Sequence, residues 1–380
     1  MANPIQRPNR NISDSLPTLP SDLIPEILSR LPVKYLLRFR CVCKIWNSLI
    51  LDHKFTRKHL KSTTRTILQS VSYHTPSSHY ILKSFSIQSI FADMATNITQ
   101  HEFSSKDVFR HKIHDIVGSC DGILCLANYY KPLIVLCNPS IRKFKELSPF
   151  DNPRVDSDSQ FNMTCGFGYD HVSHNYKVVV VYNFTVKGIP EYTTNVKVHT
   201  LGTNSWKNSR MFPSDTVFTE PSGKYVSGTI NWLVFLKGRH SDPPFIVSFD
   251  LDKESYQKVF LPDLGEIDVF DLTLGVLRDC LCLIYDHEVW FMKEYGIKES
   301  WIKLFDLCYL QDSTNSSILT KVLYIFEDDN VLLEFSYPDK QKVILYDSKN
   351  GTSKNVGFMN PAMFQHTLEV CIESLISPCF

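Results

Sequence analysis

No run of about 18 apolar residues occurs anywhere in the sequence, which excludes a helix spanning a bilayer. The nearest approach, GILCLANYYKPLIVLC from Gly122, is broken by Asn128, Lys131 and Pro132. The opening MANPIQRPNRNISDS is polar and lacks the apolar segment of a secretory signal, so none is expected. An excess of either charge is missing too. Lys and Arg number 40, Asp and Glu number 40, and the formal net charge is +0. A balanced chain has no overall field drawing it to nucleic acid or an anionic membrane, and neither partner is expected. There is no Cys-x-x-Cys, no P-loop, no Gly-x-Gly-x-x-Gly and no His-Glu-x-x-His, so zinc, nucleotide and metalloprotease chemistry have no sequence footing. The eleven cysteines are scattered among apolar neighbours, as in CLCLIYD, and read as reduced, buried thiols of a cytoplasmic or nuclear protein.

What is present divides in two. The 380 residues exceed one typical core. From residue 19 to 50 the chain reads LPSDLIPEILSRLPVKYLLRFRCVCKIWNSLI. Leu23, Ile24, Ile27, Leu28 and Leu31 fall at helical spacing, and Ser21 or Asp22 stands where a cap belongs. Pro32 ends that helix. A second helix is expected over about Val33 to Cys41 with Leu36 and Leu37, and a third carries Cys43, Trp46, Leu49 and Ile50. Three such short helices are marginal alone and spend more Leu, Ile and Trp than their own core can hide. They either dock on the rest of the chain or offer an apolar face to a partner. Residues 51 to 65 are basic and polar and read as a short helix and linker.

The ordered set Leu19-Pro20, the Leu23 to Leu31 stripe, Leu31-Pro32, Leu36-Leu37-Arg38, Val42-Cys43-Lys44 and Trp46 resembles an F-box. The resemblance implies docking on a Skp-type adaptor and, through it, on a cullin. It implies that Leu19, Pro20, Leu23, Ile27, Leu28, Leu31, Pro32, Leu36, Val42 and Trp46 lie on or beside the adaptor face. Tyr35 stands where plant members usually carry a small residue.

The remainder repeats. IVLCNPSIRKFKEL from Ile134, VKVHTLGTNSWKNS from Val196, IVSFDLDKESYQKV from Ile246 and VILYDSKNGTSKNV from Val343 align without gaps. A fifth copy from Val289 has a longer turn. Each is an alternating strand, a polar turn and a second strand. An aromatic recurs at one position as Phe144, Trp206, Tyr256 and Trp301, with Ser353 in its place once. With Trp232, these aromatics are the expected repeat core. Each copy follows another hairpin, with turns expected at Asp121-Gly122, His174-Asn175, Asn231, Arg278-Asp279 and Asp329-Asn330. Two hairpins per unit make four strands, the size of a propeller blade. The strands of residues 65 to 89 form part of a sixth blade, completed by the C-terminal TLEVCIESLIS across the ring closure.

The expected fold is therefore an α+β multidomain chain. A polar tail spans 1–15, a three-helix F-box 16–60, linker and first strands 61–113, and an all-β repeat domain of about six blades 114–380. A β-sandwich is the structural alternative. SCDGILCL, FGYDHVSHNYKVV, SGTINWL and FDLDKESYQKVFLP resemble the plant F-box-associated domain, often described with kelch repeats. No Gly-Gly doublet is present, so the blades are only kelch-like.

Catalytic signals are weak. Gly118-Ser119-Cys120-Asp121-Gly122 has the form of a nucleophile elbow, but strands flank it on both sides and it reads as a turn. The pairs His111/His114, His171/His174, Cys41/Cys43 and Cys280/Cys282 lack the further ligands of a metal site. No cofactor and no catalytic residue are expected. The two resemblances imply the substrate receptor of an SCF-type ubiquitin ligase. A propeller-fold enzyme and a ligase-independent scaffold are the alternatives. Candidate substrate loops are 150–160, 184–195, 208–222 and 237–244.

Overall fold

The computed structural model describes Pro20 and residues 22–63, 66–74, 79–87, 115–128, 133–150, 161–185, 192–213, 215–238, 242–265, 268–307, 318–336, 341–356 and 366–379. They form two compact units, divided between residues 63 and 64.

The first unit is helical: α1 Leu23–Leu28, α2 Val33–Phe39, α3 Lys44–Leu51 and α4 His53–Ser62. Asp22 occupies the N-cap of α1 without a side-chain capping bond, and Ser21, the other expected cap, lies outside the described residues. Pro32 serves as N-cap of α2 rather than as the last stop of α1, which ends four residues earlier. α2 closes at Phe39, short of Cys41, and Cys43 is the extended N-cap of α3. The best-capped helix is α4, where the Asp52 side chain accepts from the Phe55 N–H at 3.0 Å. Leu28, Val33, Leu36, Ile50 and Phe55 are buried, and Phe39 meets Trp46 edge-on at 5.5 Å. His59 of α4 reaches the Leu31 carbonyl at 2.9 Å, and Ser62 donates to the Ser29 carbonyl at 2.8 Å.

The second unit is all β. Blade one is β3 Asp115–Cys120, β4 Ile123–Asn128, β5 Leu133–Asn138 and β6 Lys143–Glu146. Blade two is β7 Phe161–Asp170, β8 Asn175–Thr185, β9 Tyr192–Thr200 and β10 Trp206–Asn208. In blade three the innermost strand is split into β11 Thr216–Phe218 and β12 Lys224–Val226, both paired with β13 Thr229–Leu236, followed by β14 Phe245–Asp250 and β15 Ser255–Val259. Blade four is β16 Leu272–Leu277, β17 Cys280–Tyr285, β18 Glu288–Met292 and β19 Trp301–Asp306. Blade five is β20 Ile318–Ile325, β21 Asn330–Ser336, β22 Gln341–Asp347 and β23 Thr352–Asn355. The sixth sheet joins distant parts of the chain: β24 His366–Ile372 pairs with β1 Thr66–His74, which pairs with β2 His79–Ser86. The expected closure across the ring is thus present.

The innermost strands contact one another in the order β24, β3, β7, β12, β16, β20 and back to β24, so the ring is closed. Each core cluster is the layer between two successive blades. Ile123, Cys125, Phe167 and Val178 fill the first such layer, Val179, Trp232 and Phe249 the second, and Leu68, Leu332 and Leu368 the one beside the closing sheet. Strand alternation makes this possible, because odd and even residues of a middle strand face opposite neighbours. β4 and the β13 segment Ile230–Val234 are accordingly buried throughout. Each fully buried Phe in these layers stabilises the fold by about 1.5–3 kcal/mol. The outermost strands present Lys143, Lys207, Lys258, Lys303 and Lys354 to solvent, and these charges blunt the free edges against strand addition.

The inner hairpins turn at or next to the expected residues in four blades, with Asn175 and Asn330 already the first residues of β8 and β21, and the third blade needs a correction. Asp121-Gly122 and Arg278-Asp279 both take positive φ at two successive residues, the primed-turn geometry matched to strand twist. In blade three that turn is Ser227-Gly228, at φ 47° and 85°. Asn231 is the third residue of β13, paired with Lys224 and fully buried. Its side chain is satisfied there: Nδ2 donates to the Lys224 carbonyl at 3.1 Å, and Oδ1 accepts from the Tyr295 hydroxyl at 2.7 Å.

Candidate functional site

Two surfaces emerge, one on each unit. On the helical unit, the interior takes part of the expected adaptor set. Leu28 and Leu36 are 2 % and 0 % exposed, so they are core residues that shape the face from beneath and do not form it. Leu31, Pro32 and Trp46 are half-buried. Pro20, Leu23, Ile27 and Val42 are exposed, while Leu19 lies outside the described residues. Sequence reasoning passed over Ile45 and Leu51, which are 77 % and 52 % exposed; with Tyr35 they extend the apolar surface along α2 and α3. Exposed apolar side chains in this number on so small a unit mark an interaction surface. Glu26, the acid of α1, is engaged by both Arg30 and Lys58, whose hydrogen bonds hold its carboxyl below the usual range.

On the β unit, the innermost strands enclose a cavity of about 720 Å³ along the ring axis, with Ser119, Lys224, Arg278, Lys321 and Glu369 among its lining. Both of its lysines are ion-paired. Lys224 pairs with Glu220 at 2.9 Å. Lys321 pairs with Glu369 at 2.5 Å and donates to the Leu368 carbonyl at 2.8 Å. Ser119 donates to the Val370 carbonyl at 3.1 Å, so β24 is held from both flanking blades. Opposite Lys321 in register stands Glu334, 5 % exposed. Burial, with the Glu369 charge and against that of Lys321, pushes its carboxyl up to about 7. Lys321 itself loses by burial, yet the Glu369 charge and hydrogen bond leave it above its ordinary value.

A second buried pair joins blades two and three. Lys177 lies 2.9 Å from Asp170 and donates to the Leu251 carbonyl at 2.6 Å. Burial alone would raise Asp170; the hydrogen bonds from Ser173, Lys177 and the Val172 and Ser173 amides outweigh it and bring the carboxyl to about 2.

The recurring aromatics have a more specific place than a core. Trp206 Nε1 donates to the Ser148 carbonyl at 2.7 Å, the Tyr256 hydroxyl to the Arg210 carbonyl at 3.1 Å, and Trp301 Nε1 to the Phe260 carbonyl at 3.0 Å. Each bond runs from the start of one blade's outer strand to the chain leaving the preceding blade. Trp301 is buried, while Trp206 and Tyr256 are half-buried. Trp232 is a true core residue at 1 % exposure. Phe144 is not one. It is 41 % exposed on the edge strand β6, and its ring has no donor with which to make this bond. Ser353 is exposed as well.

The Cys120-Asp121-Gly122 stretch is the end of β3 and a turn, with Asp121 accepting from the Tyr176 hydroxyl at 2.7 Å. No group of three potential metal ligands is present among the described residues. Of the loops expected to meet a substrate, 151–160 and 186–191 lie outside the described residues, as do His111 and His114. Segment 215–226 instead supplies the split inner strand of blade three.

Comparison with known proteins agrees with this division. Residues 16–58 match the F-box domain, and residues 74–378 match the F-box associated beta propeller domain. An F-box/kelch-repeat protein of Arabidopsis thaliana is 32 % identical over 346 residues, covering 88 % of this chain and 88 % of the relative. The F-box protein CPR1 of the same plant is 27 % identical, with 95 % and 89 % covered. A further F-box protein from that plant is 26 % identical, with 94 % and 91 % covered. With helices that expose an apolar face and a ring closed by its first and last strands, the chain belongs to the family of F-box proteins with an F-box-associated β-propeller.

Proposed function

We propose that the chain is the substrate-recognition subunit of a cullin-RING ubiquitin ligase of the SCF type. The helical unit docks on a Skp-type adaptor through the surface that includes Pro20, Leu23, Ile27 and Val42, and the adaptor links it to a cullin. The propeller holds a protein to be ubiquitinated. In this role the chain performs no chemistry. Its contribution is proximity, which raises the effective concentration of substrate lysines near the conjugating enzyme. The protein works in the cytoplasm, the nucleus or both.

The observation that carries this reading is the exposure of Leu23 and Ile27, at 44 % and 46 %, on a helix whose opposite side packs Leu28 into the unit's interior. Such a face is relieved by a partner surface. The test is binding of the purified full chain to a Skp-type adaptor, beside a Leu23→Ala/Ile27→Ala variant. Saturable binding that the variant weakens at least tenfold supports the role. A well-folded wild-type chain that does not bind overturns it.

A further inference from the structure

Two glycines of the axial cavity are explained by neither turn geometry nor packing. Gly118 on β3 and Gly275 on β16 both line it. Neither has left-handed backbone. A Cβ at Gly118 would meet nothing within 4 Å, and one at Gly275 would meet only Cys282, at 3.8 Å. Gly166 and Gly168 of β7 differ, because Ile230 and Tyr225 already fill the space beside them. Glycine inside a strand weakens it and marks places where a ligand or another backbone comes close. What the missing side chains of Gly118 and Gly275 leave is open volume on the axis.

The charges around this volume favour a cation. Asp121, Asp279, Glu327 and Glu369 line it against Lys224, Arg278 and Lys321. Two more carboxylates, Glu220 and Glu334, lie close enough for their charge to act on Lys321. Even with a proton on Glu334, the carboxylates outnumber the cations. The acids sit at two levels. Asp279 and Glu327 stand at one end of the axis, in the turns that follow β16 and β20, and have no ion pair among the described residues. Glu369 lies deeper, three residues before Ile372, whose carbonyl lies against the Gly122 turn at that same end. Three residues are about 10 Å of strand. Glu369 Oε2 holds Lys321, but Oε1 has only the Ser119 hydroxyl, at a long 3.4 Å. Between the two levels the wall carries the half-buried apolar side chains of Val276, Tyr324 and Val370.

We infer that the axial cavity binds an elongated alkylammonium ligand, with one ammonium group at Glu369, another at Asp279 and Glu327, and an alkyl stem along Val276, Tyr324 and Val370. An excess of one sign of charge inside a low-dielectric cleft concentrates ligands of the other sign. An anion of the same length would meet the same carboxylates as like charges. Alkylammonium groups have two sources, a free diamine and the lysine side chains of a bound protein segment, and the experiment separates them. The site lies wholly within the β unit, so the inference does not rest on the adaptor reading.

The experiment is calorimetric titration of the full chain at pH 7.5 in 50 mM NaCl with 1,8-diaminooctane. Octanedioate serves as the anion of equal length, 1,4-diaminobutane as a diamine too short to reach both levels, and an acetylated, amidated Gly-Lys-Gly-Lys-Gly peptide as the protein-borne source. The titrations are repeated with Gly275→Leu, which fills the cavity, and with Asp279→Asn/Glu327→Gln, two exposed changes that leave it open; circular dichroism checks that each variant is folded. The expected result is saturable one-to-one binding of 1,8-diaminooctane, weakened at least tenfold by each variant. Binding of 1,4-diaminobutane should be at least fivefold weaker, and octanedioate should not bind. Peptide binding tighter than that of the diamine, with the same sensitivity to both variants, supports the site and assigns it to a lysine-bearing protein segment. Octanedioate binding as tight as that of 1,8-diaminooctane overturns the inference. So does diamine binding that neither variant weakens, which is counter-ion association with the outer surface, and so does a lack of binding by both diamine and peptide. The adaptor reading stands or falls apart from all of these outcomes.

Discussion

Trp206 of one blade donates its indole N–H to the carbonyl of Ser148, on the chain leaving the blade before, at 2.7 Å. Tyr256 and Trp301 repeat the arrangement at the next two joints, at 3.1 and 3.0 Å. At three of the five copies, Trp206, Tyr256 and Trp301, the position thus holds a ring that also donates. Phenylalanine at 206 keeps the ring and removes the donor. Trp206→Phe should lower stability by about 1 kcal/mol, and Trp301→Phe by about the same. The two should add, because they serve separate joints. Urea denaturation of the single and double variants checks both values.

Glu334 gives the propeller a pH dependence of definite sign. Its carboxyl holds a proton to about 7 in the folded ring against an ordinary 4.5. The folded state therefore binds a proton that the unfolded chain has already released. Stability from this group declines as pH rises from about 4.5 and is lowest above about 7. Glu334→Gln should match wild type at pH 5 and exceed it in Tm at pH 8. Equal melting curves at pH 8 would remove Glu334 from this role.

The Asp170–Lys177 pair should behave in the opposite direction. Asp170 is held down to about 2, so its stabilisation is complete above the ordinary 3.8 and is lost as pH falls toward 2. Asp170→Ala strands a buried lysine, whose remaining bond is to the Leu251 carbonyl. The expected cost is about 3–5 kcal/mol, read from the midpoint of chemical unfolding.

Thiol chemistry should divide the described cysteines cleanly. Cys41, Cys43 and Cys379 are exposed, whereas Cys120, Cys125, Cys137, Cys165, Cys282 and Cys371 are buried. Burial pushes Cys137 and Cys282 up to about 12, which suppresses the reactive thiolate. A short pulse of alkylating reagent on the native protein, mapped by mass spectrometry, should label the first three at least tenfold faster than the six.

Much of this was legible in the sequence because the signals were periodic. The gapless copies at Ile134, Val196, Ile246 and Val343 are all third-and-fourth-strand hairpins, and the pairing of residues 66–74 with 366–372 closes the ring as expected. Polar residues misled where burial reversed their usual meaning. Asn231 reads as a turn residue, yet hydrogen bonds to Lys224 and Tyr295 make it tolerable in a buried strand. Phe144 reads as core by its place in the repeat, and only the missing donor separates it from Trp206. For the helical unit, an apolar stripe cannot say which of its residues face inward. Leu28 turned in and Ile27 out because α1 packs one side alone.

The pairing of β24 with β1 has a consequence for biosynthesis. The helical unit is complete once residue 63 has left the ribosome, but the ring has an open seam until residue 372 follows. During that interval a nascent chain has its four helices but not yet a closed ring. A premature stop or frameshift ahead of His366 would make that interval permanent. Its product would carry the complete helical unit in front of a ring that can never close.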